Sequence, residues 1–253
     1  MITTPIAFVG AGPGAPDLLT IRAAEHLKKA DVLIWTDSLV NPQITDLAKK
    51  SCEKIRTSSL TLENILNLLI KKAQEGKKVV RLHDGDPCLY GAISEQISGL
   101  IHAKIDFEVI PGISAYQATA ANLKRELTIP GIVQTIILSR ASGRTGVPKK
   151  ECLERLASHR ASLCLYLSAR HVEEAQSVLL EHYPEETPVA ISYRVSWPDQ
   201  WIALVPLREM AKTSIQKKLI RTTLYLISPA LEETTMRSKL YSPEHDHLFR
   251  QKQ

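Results

Sequence analysis

The sequence lacks an apolar run of about 18 residues, the length that a membrane-spanning helix needs. Its first residues also lack the basic stretch of a secretory signal peptide and lead directly into an apolar segment. The four cysteines are scattered, with no Cys-x-x-Cys pair. This pattern is typical of reduced thiols rather than of disulfides or a zinc site. We therefore expect a cytoplasmic protein that binds no metal.

The signatures of several catalytic classes are missing as well. There is no phosphate-binding P-loop, no Gly-x-Ser-x-Gly nucleophile elbow and no His-Glu-x-x-His helix. His245 and His247 flank Asp246, but a pair of histidines without further ligands nearby is more often solvated than metal-bound. No serine, cysteine or histidine stands out as an activated nucleophile. This favours chemistry between substrates that are already reactive, which the protein promotes mainly by positioning them.

The composition is that of a globular protein, and 253 residues suffice for one large domain or two small ones with proper cores. The formal charge of +5 is a modest excess, which permits nucleic acid or a polyanionic small molecule as partner and requires neither. An RNA-directed enzyme should concentrate its basic residues and aromatic stacking positions, whereas here the basic residues are dispersed.

The order of strands and helices predicts an α/β fold. An apolar strand at 6–9, a glycine-rich loop, a helix capped by Thr20 and a strand at 31–35 form a βαβ opening, which favours a parallel sheet. A break at Ile129-Pro130-Gly131 predicts two consecutive α/β domains, 1–130 and 131–253. The remaining predicted strands are 79–82, 107–110, 133–138, 163–167, 189–192, 201–205 and 223–227. The remaining predicted helices are 62–73, which is capped near Thr61, and 92–101, 114–121, 152–157, 172–182 and 208–212.

The glycine-rich loop that starts at Gly10 is open to two interpretations. It formally fits the dinucleotide fingerprint, with Asp37 as the acid that would bind the ribose of NAD. Pro13 argues against this, because it removes an N–H from a loop that should hold a pyrophosphate. Pro16 and Asp17 also delay the following helix, so that its N-terminus would not lie beneath the phosphates. A tight strand-to-helix turn is the simpler interpretation.

The stretch from Val79 to Gly91 begins as an apolar strand and becomes an acidic loop with Asp84 and Asp86 around Gly85. Acidic side chains at the carboxyl end of a parallel strand lie where α/β proteins bind ligands. Two carboxylates suit neutral hydroxyls or a cationic ligand and repel phosphate. The alternative is an ordinary polar turn, since Asp, Gly and Pro are the usual turn residues.

Three motifs in sequence order resemble the signatures of the tetrapyrrole (corrin/porphyrin) methylases. These are Val9–Gly14 followed by Asp17–Thr20, then Gly85-Asp86-Pro87 with Tyr90-Gly91, then Pro111–Ala115. The resemblance covers essentially the whole chain. Further stretches are similar to the methylases that act on C11 of precorrin-4 in cobalamin biosynthesis: 83–87, 140–148, 193–199 and 237–244. Two positions depart from that pattern: Gly146 follows the Gly-Arg-Thr of the loop where Pro is usual, and Asp84 replaces a common Thr or Gly.

The resemblance implies a homodimer of two-domain chains with S-adenosylmethionine (SAM) in the cleft between the domains. It implies methyl transfer from SAM to C11 of precorrin-4 or cobalt-precorrin-4. By the same resemblance, the cofactor contacts are Pro13, Asp84, Gly85, Asp86, Leu89, Ser114, Ala115, Leu167 and Ala190. For Leu167 and Ala190 the alternative is a core position, because apolar strand residues are buried by default.

Arginines are the best candidates for binding the acetate and propionate groups of a tetrapyrrole, because guanidinium matches carboxylate bidentately. Arg140 and Arg144 are favoured, since they lie in a glycine-containing loop; the others considered are Arg22, Arg81, Arg125 and Arg194. Tyr116 and Trp197 are candidates for packing on the macrocycle or for the core. No general base can be named.

Three alternative functions remain open at this point. The first is a methylase of the same fold that acts on uroporphyrinogen III, on another corrin carbon or on ribosomal RNA. The second is an NAD-dependent oxidoreductase, against which Pro13 and the acidic loop argue. The third is a binding module that uses the same cleft without catalysis.

Overall fold

The structure is a computed structural model that describes residues 5–142 and 146–233. The described residues form two compact units, and a short segment of the second half of the chain belongs to the first unit. The first unit contains the chain up to Ala118 together with Arg194–Gln200, and the second contains the rest. The sequence places the boundary later, between residues 130 and 131, and does not predict that Arg194–Gln200 packs with the first half.

The first unit is built on a five-stranded sheet in the order β3-β2-β4-β1-β5. All four strand pairs are parallel, which confirms the arrangement predicted from the βαβ opening. The elements are β1 (Ile6–Gly10), α1 (Ile21–Lys29), β2 (Val32–Trp35), α2 (Pro42–Thr45), β3 (Glu53–Arg56), α3 (Leu62–Gln74), β4 (Val79–His83), α4 (Ile93–His102), β5 (Phe107–Ile110) and α5 (Ala115–Leu123), the last of which runs across the boundary.

Both faces of this sheet are covered, so successive residues of β1 enter different cores. Val9 packs with Leu27 of α1, whereas Phe8 packs with Leu69 of α3 and Leu100 of α4. All five residues of β1 are buried. Burial of a side chain such as Phe8 stabilises the fold by roughly 1.5–3 kcal/mol relative to exposure. The two-sided burial explains why the central strands are continuous apolar runs.

Helix starts in the first unit follow the capping chemistry of the sequence. Thr20 accepts a hydrogen bond from the Ala23 amide at the start of α1. At α3, Thr61 and Asn64 form a reciprocal capping box. Both caps are confirmed predictions. Helix α2 and strand β3 were not predicted; β3 is an edge strand with three of its four residues exposed, so it carries no hydrophobic pattern.

The second unit contains a mixed five-stranded sheet in the order β6-β7-β10-β8-β9. Only β6 and β7 are parallel, and the other three pairs are antiparallel. Two predicted elements begin later than expected: the strand predicted at 133 and the helix predicted at 208. The elements are β6 (Ile136–Arg140), α6 (Leu153–Ala157), β7 (Ser162–Tyr166), α7 (Val172–Leu180), β8 (Pro188–Tyr193), β9 (Trp201–Pro206), α8 (Met210–Gln216) and β10 (Thr223–Ile227). Among the helices of the described ranges, none is long and apolar enough to cross a membrane.

Candidate active site

Three loops meet at one edge of the first sheet. Strand β1 lies between β4 and β5, and all three strands run in the same direction. Their carboxyl ends are therefore neighbours, and the loops that follow them carry the three sequence motifs. The carboxyl edge of a parallel sheet is where open α/β folds bind ligands. We call the first of these loops, residues 10–15, the glycine loop, and the second, residues 84–91, the acidic loop.

The glycine loop and the acidic loop are joined by backbone hydrogen bonds. Gly12 and Gly85 exchange two of them, with N···O distances of 3.2 and 2.9 Å. The Ala11 amide donates to the His83 carbonyl at 2.7 Å. The two loops are thus joined by an antiparallel bridge beyond the ends of the parallel strands β1 and β4.

Three glycines allow the backbones of the loops to touch. A Cβ on Gly10 would lie 2.6 Å from the Gly112 nitrogen and 2.7 Å from the Gly85 carbonyl oxygen. A Cβ on Gly112 would overlap the same Gly85 oxygen. Gly85 itself has φ +57°, a left-handed conformation that glycine adopts without strain. A side chain at Gly10 or Gly112 would therefore separate the strand ends, whereas at Gly85 it is the left-handed backbone that favours glycine.

Asp86 connects the acidic loop to the loop after β5. Its Oδ1 accepts from the Cys88 amide at 2.8 Å, and its Oδ2 accepts from the Gly112 amide at 2.9 Å. The sequence predicts that this carboxylate serves the ligand. In the structure both oxygens already serve the backbone, so positioning the loops is the role that the described contacts support. Direct contact of Asp86 with a cofactor stays a prediction.

Asp84 remains accessible to solvent, unlike the strand residues before it. The protein around its carboxyl nevertheless raises the pKa of Asp84 through lost solvation, while its own backbone amide and Arg81 act in the opposite direction. Accessibility leaves this carboxylate able to meet a hydroxyl or a cation of a ligand.

Arg81 is not placed to bind the carboxylates of a substrate. It is only 4% exposed, and its guanidinium donates to Gln96 Oε1, Thr36 Oγ1 and the Ile34 carbonyl at 3.1 to 3.3 Å. Burial lowers the pKa of Arg81 to about 10. Arg81 is therefore a cation that remains protonated at neutral pH and is held inside the first unit beside β4.

His83 is also buried, at 3% exposed, and its Nε2 has no hydrogen-bond partner within the described chain. Burial, followed by the positive charge of Arg81, lowers the pKa of His83 to about 3. The imidazole is therefore neutral at physiological pH. It packs near the Phe8 ring, with a centroid distance of 6.0 Å.

The remaining cofactor candidates of the first unit lie in the same three loops or directly after them. The Leu89 amide donates to the Asp86 carbonyl at 3.1 Å, and Leu89 is half-buried. Ser114 is 5% exposed, and its amide donates to Gln117 Oε1 at 2.8 Å, as expected for the residue that caps α5. Ala115 is the first residue of α5. The structure brings Pro13, Asp84, Gly85, Asp86, Leu89, Ser114 and Ala115 to one edge of the sheet.

Leu167 and Ala190 belong to the second unit. The alternative of a core position applies to only one of them. Leu167 follows β7 with φ +54° and is 65% exposed, so it is not a core residue. An exposed leucine in a conformation that non-glycine residues rarely adopt is typical of a contact site. Ala190 is fully buried in β8, which is paired on both sides, as a core residue would be. Both cofactor contacts stay predictions.

Arg140 lies at the end of β6, opposite Tyr166 of β7. It is half-buried, and its Nη2 donates to the Gly146 carbonyl at 2.9 Å. Its substrate role stays a prediction. Arg144, His245, Asp246, His247 and the stretch 237–244 lie outside the described residues.

The structure disfavours the dinucleotide interpretation of the glycine loop. A short 3-10 turn at Pro16–Leu18 follows the loop, and α1 begins only at Ile21. The N-terminus of α1 therefore does not directly follow the glycine loop, as a pyrophosphate site would need. Asp37, the acid that this interpretation needs, accepts hydrogen bonds from the backbone and hydroxyl of Ser58 at 2.9 and 2.8 Å.

Two residues that hold the glycine loop were not singled out from the sequence. Asn41 is 3% exposed, and its Nδ2 donates to the Gly14 carbonyl at 2.9 Å. Ser196 accepts from the Ala15 amide at 2.9 Å. Asn41 precedes Pro42 and caps α2, a helix-start signal that could have been found; nothing in the sequence connects Ser196 with Ala15.

The chemistry of the three loops suits a ligand that is cationic and rich in hydroxyls. The motifs 10–15, 84–91 and 111–115 contain two aspartates and no lysine, arginine or histidine. A pyrophosphate would find carboxylates here and no basic side chain. SAM carries a sulfonium, an ammonium and ribose hydroxyls, so these residues fit it.

Comparison with known proteins gives consistent results over nearly the whole chain. Residues 5–211 match the family model described as Tetrapyrrole (Corrin/Porphyrin) Methylases. The cobalt-precorrin-4 C(11)-methyltransferase of Methanocaldococcus jannaschii is 40% identical over 247 residues, which is 97% of this chain and 95% of the relative. The precorrin-4 C(11)-methyltransferase of Pseudomonas aeruginosa is 40% identical over 246 residues, with coverage of 97% and 98%.

Two solved structures extend the comparison. A cobalt-precorrin-4 methyltransferase, described as a cobalamin biosynthetic enzyme, has a TM-score of 0.87 and 36% identity, covering 90% of this chain and 96% of its own. The uroporphyrin-III C-methyltransferase of Thermus thermophilus, solved with S-adenosylhomocysteine, has a TM-score of 0.75 and 25% identity, with coverage of 90% and 99%.

Proposed function

Because this chain belongs to the tetrapyrrole (corrin/porphyrin) methylases, we propose that it transfers the methyl group of SAM to C11 of precorrin-4 or cobalt-precorrin-4 in cobalamin biosynthesis. The chain is a SAM-dependent methyltransferase. The observation that carries the choice of C11 is the 40% identity, over nearly the full length, to enzymes named for that position. The 25–28% identity to solved uroporphyrin-III methylases is lower.

When bound, SAM supplies an electrophilic methyl group on a sulfonium, which is a good leaving group. The acceptor is an electron-rich carbon of the tetrapyrrole, so the protein needs no activated nucleophile of its own. The residues proposed to hold the cofactor are Pro13, Asp84, Gly85, Asp86, Leu89, Ser114, Ala115, Leu167 and Ala190. Asp84 offers a carboxylate to a hydroxyl or ammonium, and Asp86 keeps the acidic loop in place through Cys88 and Gly112.

The acceleration would come mainly from positioning. Holding two reactive groups in line removes an entropic cost that reaches roughly 7–11 kcal/mol in well-oriented systems. The glycine loop and the acidic loop are joined by backbone hydrogen bonds, and the Asp86 side chain connects the acidic loop to Gly112, so the three loops provide such a rigid base. Arg140 and Arg144 are proposed to bind the carboxylates of the substrate, since both belong to a glycine-containing loop and Arg140 stands at the end of β6.

The second candidate function is methylation of another tetrapyrrole, such as uroporphyrinogen III. It is favoured by the siroheme synthase 1 of Halorhodospira halophila, which is 34% identical over 236 residues, although the match spans 48% of that relative. The common loops would bind SAM in the same way, so only the product distinguishes the two functions.

We also propose that the protein is a cytoplasmic homodimer, as the family resemblance implies. Light scattering coupled to size-exclusion chromatography measures the mass directly. A mass of about twice the 28.2 kDa of one chain supports the dimer, and a monomer at micromolar concentration contradicts it.

The cofactor proposal is tested by titrating the purified protein with S-adenosylhomocysteine and, separately, with NAD. We expect saturable binding of S-adenosylhomocysteine and no heat from NAD, because the loops offer carboxylates and no cradle for a pyrophosphate. Asp84→Asn should weaken binding, and Asp46→Asn, an exposed aspartate of the first unit, is the matched control. Binding of NAD alone would overturn the proposal.

A further inference from the structure

The segment Arg194–Gln200 lies between β8 and β9 in the sequence but packs on the glycine loop of the first unit. Ser196 Oγ accepts from the Ala15 amide at 2.9 Å. Trp197 Nε1 donates to the Pro13 carbonyl at 3.0 Å. More than 180 residues of sequence separate the partners, so this contact is built by the fold and is not a local turn.

The residue between these two anchors is held as well. A Cβ on Gly14 would overlap the indole ring of Trp197, so the ring lies directly against the Gly14 backbone. Asn41 Nδ2 donates to the Gly14 carbonyl at 2.9 Å. Pro13, Gly14 and Ala15 are thus each fixed by a side chain that comes from outside the loop.

The segment is itself braced in one conformation. The Trp197 amide donates to the Arg194 carbonyl at 2.9 Å, and the Ser196 amide donates to Gln200 Oε1 at 2.8 Å. The Arg194 guanidinium stacks on the Trp197 ring at 4.8 Å from its centroid and pairs with Asp199 at 2.6 Å.

Two residues of the segment have positive φ angles, Arg194 at +46° and Ser196 at +65°. Non-glycine residues rarely adopt this conformation, and it persists only where the surroundings enforce it. The contacts with the glycine loop and the hydrogen bonds within the segment hold Arg194 and Ser196 in this conformation.

We propose that Ser196 and Trp197 are positioning residues that hold the glycine loop in the conformation that binds the cofactor. This rests on the proposed function, in which Pro13 contacts SAM. A loop with glycines at 10, 12 and 14 loses much conformational freedom when it is ordered. If Ser196 and Trp197 order the loop in advance, less of that entropy is lost on binding, and affinity rises without any direct contact to the ligand.

The proposal predicts a loss of cofactor affinity in variants that lack one anchor. Trp197→Phe keeps an aromatic ring and removes the N–H, and Ser196→Ala removes one hydroxyl. Each should raise the Kd for S-adenosylhomocysteine roughly 3- to 10-fold, the range that corresponds to one net hydrogen bond. The KM for SAM should rise by the same factor, while kcat at saturating SAM stays close to that of the parent enzyme.

The sequence offers a matched control for the loss of an indole N–H. Trp35 Nε1 is buried and has no hydrogen-bond partner within the described chain. Trp35→Phe therefore makes the same chemical change without removing an anchor. It should leave the Kd unchanged; an equal rise in Trp35→Phe would overturn the proposal.

A readout independent of activity is the exchange of the Ala15 amide proton, whose acceptor is Ser196. In Ser196→Ala this amide should exchange faster with solvent, while amides in the middle of β1 keep their protection. Unchanged exchange at Ala15 would overturn the proposal, whatever the enzyme binds.

The contact between Trp197 and Gly14 gives a test by a double-mutant cycle. Gly14→Ala should weaken binding of S-adenosylhomocysteine, because its Cβ displaces the indole. In a Trp197→Ala background only the strain of the Gly14 backbone, at φ +158°, opposes the same substitution, so its additional effect on Kd should be smaller. Equal effects in both backgrounds would mean that the contact with Trp197 contributes nothing to the conformation of the loop, which contradicts the proposal.

The outcomes also separate this inference from the proposed function. Failure of the parent protein to bind S-adenosylhomocysteine would overturn the proposed function, and the Ala15 exchange would still decide whether the segment orders the loop. Tight binding that Trp197→Phe and Ser196→Ala both leave unchanged would overturn only the positioning role.

Discussion

Asp86 accepts hydrogen bonds from the amides of Cys88 and Gly112 and thereby ties two loops together. The sequence predicts the position of this carboxylate but not its partners, because an acidic residue after a strand has the same local pattern whether it binds a ligand or a backbone. The partner Gly112 follows a different strand, and only the sheet order brings the two together. For the same reason, the contacts of Asn41 with Gly14 and of Ser196 with Ala15 could not be predicted from the sequence.

Replacement of Asp86 tests its structural role. Asp86→Ala leaves two backbone amides without their charged acceptor, so the free energy of unfolding should fall by about 1–3 kcal/mol. Urea denaturation followed by fluorescence measures this. Asp84→Ala is the control: Asp84 is exposed and no backbone amide of another described residue depends on its carboxylate as Cys88 and Gly112 depend on Asp86, so the free energy should stay within about 0.5 kcal/mol of the parent. A smaller loss in Asp86→Ala than in Asp84→Ala would contradict this account.

His83 should make the protein sensitive to acid. Its pKa is about 3 in the folded protein and about 6.5 when unfolded, so between these values the unfolded chain binds the additional proton. Stability therefore falls as pH decreases from 6.5 toward 3, by up to about 1.4 kcal/mol per pH unit from this residue.

The variant His83→Leu should flatten that dependence, since leucine fills a similar volume and the buried Nε2 has no partner to lose. Denaturation in urea at pH 6.5 and pH 5 gives the difference. His159→Leu, at an exposed position, should keep the dependence of the parent. An unchanged pH dependence in His83→Leu would show that the imidazole is not held neutral by burial.

At the scale of elements, the strongest sequence patterns identified the correct strands and helices. Helix α3 is an example, because its apolar spacing and its Thr61 cap agree. Elements without such agreement were missed or displaced. Strand β3, Glu-Lys-Ile-Arg, exposes most of its side chains and exists because β2 offers an edge to pair with. Pairing of this kind is a tertiary effect that local propensity does not encode.

At the junction of strand ends formed by Gly10, Gly85 and Gly112, we expect Gly10 and Gly112 to tolerate no side chain. Gly10→Ala would place a Cβ within 2.7 Å of backbone atoms of the other two glycines, and backbone cannot move aside as a flexible side chain can. We expect a loss of about 1–3 kcal/mol in stability, the usual cost of overpacking, together with loss of S-adenosylhomocysteine binding.

The control for this substitution is Gly146→Ala, where no atom of residues 5–142 or 146–233 lies within 4 Å of the new Cβ. Its stability should stay within about 0.5 kcal/mol of the parent. Thermal denaturation and titration with S-adenosylhomocysteine provide both measurements. A Gly10→Ala variant as stable as Gly146→Ala would mean that the three loops do not need their close backbone contact.

At the scale of the whole molecule, the α/β class and the parallel first sheet followed from the sequence. The mixed second sheet did not, because the direction of strands far apart in the chain depends on how they pair. The return of Arg194–Gln200 to the first unit had no local signal either. The family was indicated by three motifs in order, which is information about descent rather than about packing, and the match to residues 5–211 confirms it.

The most direct test of the central claim is the position of the transferred methyl group. The purified protein is incubated with precorrin-4 or cobalt-precorrin-4 and SAM that carries an isotope-labelled methyl, and the product is analysed by mass spectrometry and NMR. The account predicts a single labelled methyl at C11. A product labelled at another carbon, or label transfer to uroporphyrinogen III while both precorrin-4 forms remain unmodified, would contradict it.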